Sequence, residues 1–197
     1  MNSASIIMLQ EHWLSDGQLY LLGDISDSFL YSGVSGFDNS EVLLGRPYGG
    51  CAILWRSDLA VTVKVVNTES KRVCAIRMVN EQVKLLLVSV YMPYESDLVS
   101  TEEYTDQLMF VENILFNNSD RHVIIAGDFN VDFSRSWPHS VFSVIITDSL
   151  PRIDIVRTRL ITCINLIWNA FVLWIIFFFL ALFLRNLYLE RVCFARY

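Results

Sequence analysis

The sequence contains little proline, glycine or cysteine. Among its 197 residues are 4 prolines, 8 glycines and 4 cysteines, while 53% of the residues are hydrophobic. This composition excludes collagen-like and low-complexity chains and predicts a globular core. The cysteines, at positions 51, 74, 163 and 193, form no C-x-x-C pair. Neither a zinc finger nor a disulfide framework is therefore indicated, and reduced thiols are expected.

Basic residues are also scarce, and they are unevenly distributed. Residues 1–150 contain 9 Lys and Arg against 19 Asp and Glu, a net charge of −10, whereas residues 151–197 contain 6 against 2, a net charge of +4. Non-specific binding of nucleic acids relies on Lys and Arg, which displace the counterions of the phosphates. The acidic first part is therefore not a general polyanion binder, and any phosphate chemistry there requires a cation.

The amino-terminal segment lacks the features of a secretory signal. Glu11 and Asp16 interrupt it, and no basic residue precedes them. A signal peptide has a basic leader followed by an uninterrupted apolar stretch. We therefore predict that the amino-terminal part of the chain faces the cytosol or the nucleus.

One long uncharged run lies near the other end of the chain. Residues 160–184 are 25 consecutive residues without a charge, and most of them are apolar. As a helix this run would reach about 37 Å, against about 30 Å for the hydrocarbon core of a bilayer. It predicts a transmembrane helix between a basic linker at 151–159 and a short basic tail at 185–197. Three arginines on each side leave the orientation open, and a translated intron or a shifted reading frame from about residue 143 is an alternative origin of the run.

Residues 1–150 have the pattern of a single α/β domain. Strands are predicted at 6–10, 51–55, 60–66, 72–79, 83–92 and 122–126. The four strands from 51 to 92 are close in sequence, so antiparallel pairing is expected among them. A short helix or turn is predicted at 17–23. Ser100 and Glu103 form a capping-box pattern before an amphipathic helix that is expected to cover a sheet.

Three motifs place polar residues at the ends of predicted strands. IIMLQEHWL contains Glu11, VYMPY contains Tyr91, and IIAGDFNVDF contains Asp128 and Asn130. Segments that follow buried strands often carry binding and catalytic residues. The motifs are therefore candidates for one functional site.

In their order and spacing the three motifs resemble the endonuclease/exonuclease/phosphatase superfamily, over about residues 5–142. With GRPYGGCAILWR at 45–56, they look most similar to the endonuclease domain of non-LTR (LINE-type) retrotransposons. The resemblance implies an α/β fold, a partial four-layer α/β/β/α sandwich of the deoxyribonuclease I type, to which the predicted transmembrane helix is appended. It also implies a hydrolase that cleaves phosphodiester bonds in DNA.

The resemblance assigns a role to each polar residue. Glu11 matches the family's metal ligand, and a carboxylate suits Mg²⁺, with Mn²⁺ as an alternative. Asp128 would orient or deprotonate the attacking water, Asn130 would hold a phosphate oxygen, and Tyr91 would contact the same phosphate. Arg46 is a weaker candidate for substrate binding, because its glycine-rich surroundings are also typical of a flexible loop.

Each assignment has a structural alternative. Asp128 and Asn130 are also compatible with an Asx turn, Glu11 with a solvated strand end, and Tyr91 with an aromatic residue on a strand face. Strand alternation would point His12 to the face opposite Glu11. Three tryptophans are predicted to be packing residues: Trp13, Trp55 and Trp137.

Two parts of the family pattern are not seen. One is an amino-terminal strand with an Asn, and the other is a carboxyl-terminal Ser-Asp-His segment, since no such triplet follows Asn130. Arg152-Ile153-Asp154 is similar to the family's Arg-Ile-Asp strand but comes too soon after the GDFN motif, so it is interpreted as a chance match. Open sheet edges and weak or absent activity are expected.

Three functions therefore stay open at this stage. The first is a Mg²⁺-dependent phosphodiesterase acting on DNA. The second is a catalytically dead membrane-anchored remnant or interaction module. The third is a membrane-tethered phosphodiesterase that cleaves a lipid or inositol phosphate. The predicted localisation is a membrane, with the body in the cytosol, if the run at 160–184 is genuine, and otherwise the nucleus or cytoplasm; no protein partner is predicted.

Overall fold

The computed structural model describes residues 4–37, 49–93 and 98–130 and the backbones of two further strands. The strands are β1 (Ile6–Gln10), β2 (Phe29–Val34), β3 (Cys51–Arg56), β4 (Thr62–Val66), β5 (Val73–Val79), β6 (Lys84–Tyr91), β7 (His122–Asp128), β8 (Ile153–Arg157) and β9 (Val192–Arg196). A 3₁₀ helix spans Asp16–Ile25 and helix α1 spans Leu98–Phe116.

The strands form two sheets, which confirms the predicted α/β class. The first sheet has the order β2-β3-β1-β9 and the second has the order β4-β5-β6-β7-β8. The predicted antiparallel pairing is found for β4 with β5 and for β5 with β6. It is wrong for β3 and β4, because the chain passes from one sheet to the other between them and β3 pairs with β1 and β2.

The core lies between the sheets and continues under α1. In β6, Leu85 and Leu87 pack between the two sheets, while Leu86 and Val88 pack against the helix side of the second sheet. Both faces of β6 are therefore buried, which explains why its sequence is a continuous apolar run and does not alternate. The 3₁₀ helix covers the other face of the first sheet through Leu22. The described layers are thus helix, sheet, sheet and helix.

Helix α1 covers the second sheet as predicted, but its start differs. The helix begins at Leu98, so Ser100 lies inside it and the predicted capping box at Ser100 is wrong. Glu103 instead accepts a hydrogen bond from Arg72 Nε at 2.8 Å. The apolar side chains that pack on the sheet recur at helical spacing; they are Tyr104, Leu108, Val111, Ile114 and Leu115.

Strands β8 and β9 correct two expectations. Ile153–Arg157 pairs in parallel with β7, so the segment that was interpreted as a chance match is a strand of the second sheet. Val192–Arg196 pairs in parallel with β1. The edges of β1 and β7 that were expected to be open are therefore each paired with a further strand.

The predicted transmembrane run at 160–184 lies outside the described residues. Within the described part of the chain, no helix has both the length and the apolar character required to cross a membrane.

Candidate active site

The first motif leaves its strand through two residues in left-handed conformation. Strand β1 ends at Gln10, and both Glu11 (φ 56°) and Trp13 (φ 57°) have positive φ. The Glu11 N–H donates to the Gly50 carbonyl at 2.8 Å and the Trp13 N–H donates to the Gly49 carbonyl at 3.1 Å. Such conformations are strained for residues other than glycine, so these backbone contacts hold the segment in place.

The His12 side chain ties this segment to its surroundings. Its Nδ1 accepts the Leu14 N–H at 3.1 Å, so the ring is the tautomer with a proton on Nε2, which donates to the Val34 carbonyl at 3.1 Å. Burial lowers the pKa of His12, which favours this neutral form. The ring lies directly on Gly50, where a Cβ would overlap it. Because the chain has left the strand at Gln10, strand alternation does not determine where His12 lies.

Tyr91 joins the first motif to the second across the two sheets. It is the last residue of β6, and its hydroxyl donates a hydrogen bond to Glu11 Oε1. The Tyr91 ring lies against Gly49, where a Cβ would be in van der Waals contact with the ring at 3.4 Å. Two motifs separated by 80 positions in the sequence therefore meet at the same end of the sandwich.

Positive charge lies beside Tyr91. The guanidinium carbon of Arg72 is 5.6 Å from the centroid of the Tyr91 ring. Arg72 and Lys71 also line a cavity of about 310 Å³ whose other walls include Phe37. Glu69 and Glu103 line the same cavity, and Glu103 accepts a hydrogen bond from Arg72 Nε, so the two basic side chains are balanced by two carboxylates.

Hydrogen bonds join the third motif, which contains Asp128 and Asn130, to the second motif, which contains Tyr91. In the parallel pairing of β6 and β7, Tyr91 faces Asp128. The Asn130 N–H donates to Asp128 Oδ1 at 3.1 Å, which is the Asx turn given above as the structural alternative. The Asn130 side-chain amide donates to the Met92 carbonyl at 2.7 Å, and the Met92 N–H donates to the Asp128 carbonyl at 2.8 Å. The turn thus holds both side chains beside Tyr91, so the structural and catalytic interpretations are compatible.

Gly127 allows β7 to lie this close to β6. Its φ is 151°, and a Cβ at this position would overlap the Val90 carbonyl oxygen and lie 2.8 Å from the Val90 carbonyl carbon. Only glycine fits between these two strands. The glycine of the GDFN motif therefore sets the position of Asp128, which is 9% exposed.

A buried polar contact is made by Gln10, the residue directly before Glu11. Gln10 Nε2 donates to Ser89 Oγ at 3.0 Å, which links β1 to β6 through the core. The Cys51 thiol lies 3.5 Å from the Ser89 carbonyl oxygen. Because unpaired polar groups are costly in a core, this contact favours one alignment of the two sheets.

The oxygen donors at this end of the sandwich are the carboxylates of Glu11 and Asp128. Within the described residues, no group of three or more His, Cys, Asp or Glu side chains is placed to hold a metal ion. Mg²⁺ is commonly held by one or two carboxylates, with water and substrate phosphates completing its shell. The donor set therefore fits a divalent cation that is bound together with a phosphate.

Two sequence interpretations of this region need correction. Trp13 is 43% exposed, so the prediction that it is a packing residue is wrong, whereas the same prediction is confirmed for Trp55. Trp137 and Arg46 lie outside the described residues.

The paired glycines at 49 and 50 have a role that the sequence interpretation missed. They were assigned to a flexible loop, yet both carbonyls accept hydrogen bonds from the Glu11 segment, and both residues have positive φ. Tandem glycines directly before a buried strand are the signal that marks such a close approach of two backbones.

Comparison with known proteins adds a family match. The sequence profile described as the Endonuclease/Exonuclease/phosphatase family matches residues 2–156. No curated protein matches the chain at a significant level.

Several solved structures match part of the chain. One is humanized D. rerio TDP2 with 14 mutations, with 21% identity over 75% of this chain and a TM-score of 0.46. The 3' phosphatase NExo from Neisseria, bound to a product DNA hairpin, has 16% identity over 73% and a TM-score of 0.45. The human Nocturnin catalytic domain, with bound sulfate, has 15% identity over 74% and a TM-score of 0.47. The matched regions cover 58%, 55% and 57% of those chains, so this chain spans little more than half of each.

Proposed function

Because this chain belongs to the endonuclease/exonuclease/phosphatase family, we propose that it hydrolyses phosphodiester bonds in DNA with the help of a divalent cation, preferably Mg²⁺. The proposed site comprises Glu11, Tyr91, Asp128 and Asn130. The observation that carries this proposal is the hydrogen bond from Tyr91 to Glu11 at the edge where Asp128 leaves β7. It brings the three sequence motifs together from both sheets.

Each side chain has a part that its surroundings support. Asp128, oriented by its turn with Asn130, is the group that orients the attacking water or accepts its proton. The Asn130 amide has a second N–H besides the one it donates to the Met92 carbonyl, so it can hold a phosphate oxygen without adding negative charge. The Tyr91 hydroxyl donates its one proton to Glu11 in this structure, so it would donate to a phosphate oxygen only after releasing that hydrogen bond.

Glu11 is the proposed metal ligand. It lies in a strained conformation that two neighbouring backbone contacts maintain, and its carboxylate is held by Tyr91. A divalent cation bound there would supply charge neutralisation on the phosphate oxygens, while Asp128 stays available to the attacking water. The protein holds the carboxylates of Glu11 and Asp128 at one edge of the sandwich.

The finer assignment is to the retrotransposon type of endonuclease, with low turnover. Its support is the sequence QEHWL around Glu11 and the GRPYGG segment, which together resemble that subgroup. The proposal of low turnover rests on residues 131–197, which contain no Ser-Asp-His triplet that could assist at the scissile phosphate.

The proposal is tested by incubating the purified full-length chain with supercoiled plasmid in Mg²⁺ or in EDTA. We expect slow conversion to open circles in Mg²⁺ and none in EDTA. The Glu11→Gln variant should lack the activity, whereas Glu112→Gln, which removes a carboxylate from an exposed position of α1, should retain it. If a cooperatively folded sample shows no nicking, the chain is the catalytically dead alternative.

For localisation we propose the cytoplasm or nucleus. Strands β8 and β9 flank the run at 160–184, and both pair with the sheets of the same body. A single membrane crossing would put the two strands on opposite sides of the bilayer, and two crossings need about 40 apolar residues, more than this run contains. The pairing of β9 with β1 therefore supports a cytoplasmic or nuclear location over a single-pass anchor.

Alkaline carbonate extraction of membranes from cells that express the full chain tests this localisation. We expect the protein in the supernatant, because no span would retain it in the bilayer. Retention in the pellet together with an authentic single-pass protein would contradict the proposal and would also mean that β9 does not pair with β1.

A further inference from the structure

Trp13 combines two unfavourable features next to the proposed site. It is a large aromatic residue with φ 57°, and 43% of it is exposed to solvent. Positive φ is uncommon for a bulky residue, and strain of this kind concentrates at functional sites. Exposure of an indole ring adds a further cost. A strained and exposed aromatic residue beside a candidate site is a candidate for ligand binding.

The backbone around Trp13 is fixed on every side. The Trp13 N–H donates to the Gly49 carbonyl, and the Leu14 N–H donates to His12 Nδ1. His12 in turn is held by the Val34 carbonyl and lies on Gly50. The exposed side chain is therefore carried by a rigid support, which lowers the entropy lost when a ligand is bound.

Trp13 also lies at the rim of the proposed site. Glu11 is two residues away, and Gly49, which accepts the Trp13 N–H, is in contact with the Tyr91 ring. The Trp13 backbone thus lies next to the groups that would hold a scissile phosphate, and its exposed side chain starts from that position. In nucleic acids, the bases are the aromatic surfaces adjacent to a phosphate.

We propose that Trp13 is a substrate-binding residue that stacks on a nucleobase next to the scissile phosphate of a single-stranded or locally opened nucleic acid. This inference rests on the proposed function and specifies the substrate that the site prefers. Stacking does not require positive charge, which suits a body whose first 150 residues have a net charge of −10. Aromatic side chains that stack on bases are common in proteins that bind single strands.

The test compares two fluorescein-labelled single-stranded DNA oligonucleotides in EDTA, where no cleavage is expected. One has all its bases and the other has abasic positions at its centre; fluorescence anisotropy gives the dissociation constant of each. We expect the wild-type chain to bind the intact strand more tightly. Trp13→Ala should bind it about 5- to 150-fold more weakly and should no longer distinguish the two strands.

Two further variants serve as controls. Trp13→Phe should recover most of the affinity, because a smaller aromatic ring still stacks. Phe116→Ala removes an aromatic residue that is 79% exposed at the end of α1, near the start of β7 and far from Asp128, and should bind like the wild type.

The outcomes separate this inference from the proposed function. If Trp13→Ala binds both strands as the wild type does, the stacking role is wrong while the DNA function stands. If Trp13→Ala weakens the intact and abasic strands equally, the residue does not contact a base and the inference is also overturned. If the wild type binds neither strand, the inference falls, and the plasmid-nicking assay in Mg²⁺ decides the DNA function separately.

Discussion

Replacement of Gly127 by alanine is expected to lower the free energy of unfolding by about 2–4 kcal/mol. The added Cβ would overlap the Val90 carbonyl oxygen, and the φ of 151° is one that alanine rarely adopts. The clash cannot relax locally, because β6 and β7 are paired from Leu85 with His122 through Tyr91 with Asp128. Urea denaturation followed by circular dichroism measures the change.

Gly17→Ala is the matched control for this substitution. Gly17 lies in the 3₁₀ helix, and a Cβ there meets no atom within 4 Å. Its unfolding free energy should stay within about 0.5 kcal/mol of the wild type. Equal stability of Gly127→Ala and Gly17→Ala would show that β7 does not approach β6 as closely as described.

The strands that the sequence predicted share one property, which is a strong local pattern. Strands β5, β6 and β7 are rich in branched and apolar residues and end at turn-forming residues, so their positions follow from the sequence. Strand β2, with Ser32 and Gly33 in FLYSGV, has no such pattern and was missed. It forms because it pairs with β3 along its whole length, and that pairing is a tertiary contact.

Strands β8 and β9 illustrate a different limit. Both pair in parallel with strands that are distant in sequence, and neither partner can be read from a local window. The uncharged run at 160–184 lies between them, and it led to the interpretation of the carboxyl-terminal part as a linker, a transmembrane helix and a tail. Hydropathy alone cannot assign such strands to the sheets that they complete.

The sequence predicted that the candidate residues lie together, but it did not predict the contacts that hold them there. Glu11, Tyr91, Asp128 and Asn130 were chosen for their chemistry and their positions after strands, and the structure gathers all four at one end of the sandwich. The roles of His12 and of the glycines at 49 and 50 depend on contacts between segments about 20 to 40 positions apart. Local patterns contain no information on such contacts.

Asp128→Asn is expected to reduce the rate of plasmid nicking by about 10²- to 10⁴-fold. The amide keeps the shape of the side chain and can still accept the Asn130 N–H, but it cannot accept a proton from water. Asp120→Asn, an exposed carboxylate before β7, is the matched control and should leave the rate unchanged. A single-turnover nicking assay at saturating Mg²⁺ measures both variants.

Glu11→Gln should abolish nicking at the same Mg²⁺ concentration for a different reason. It removes the proposed ligand, so the loss is one of cation affinity, and part of the rate should return at high Mn²⁺ concentration. Asp128→Asn should not be rescued in this way, because a cation does not replace the missing base. Calorimetric titration with Mn²⁺ provides a readout independent of activity, in which Glu11→Gln binds more weakly and Asp128→Asn binds as the wild type does.

The two variants therefore assign the two carboxylates separately. Weak Mn²⁺ binding and Mn²⁺ rescue in Asp128→Asn would make Asp128 a second metal ligand and would leave the water without its proposed base. Unchanged Mn²⁺ binding in Glu11→Gln would mean that the Tyr91 hydroxyl engages Glu11 only to hold the two sheets in register. In that case the strained conformation of Glu11 would serve the fold, and the metal site would have to be sought among other residues.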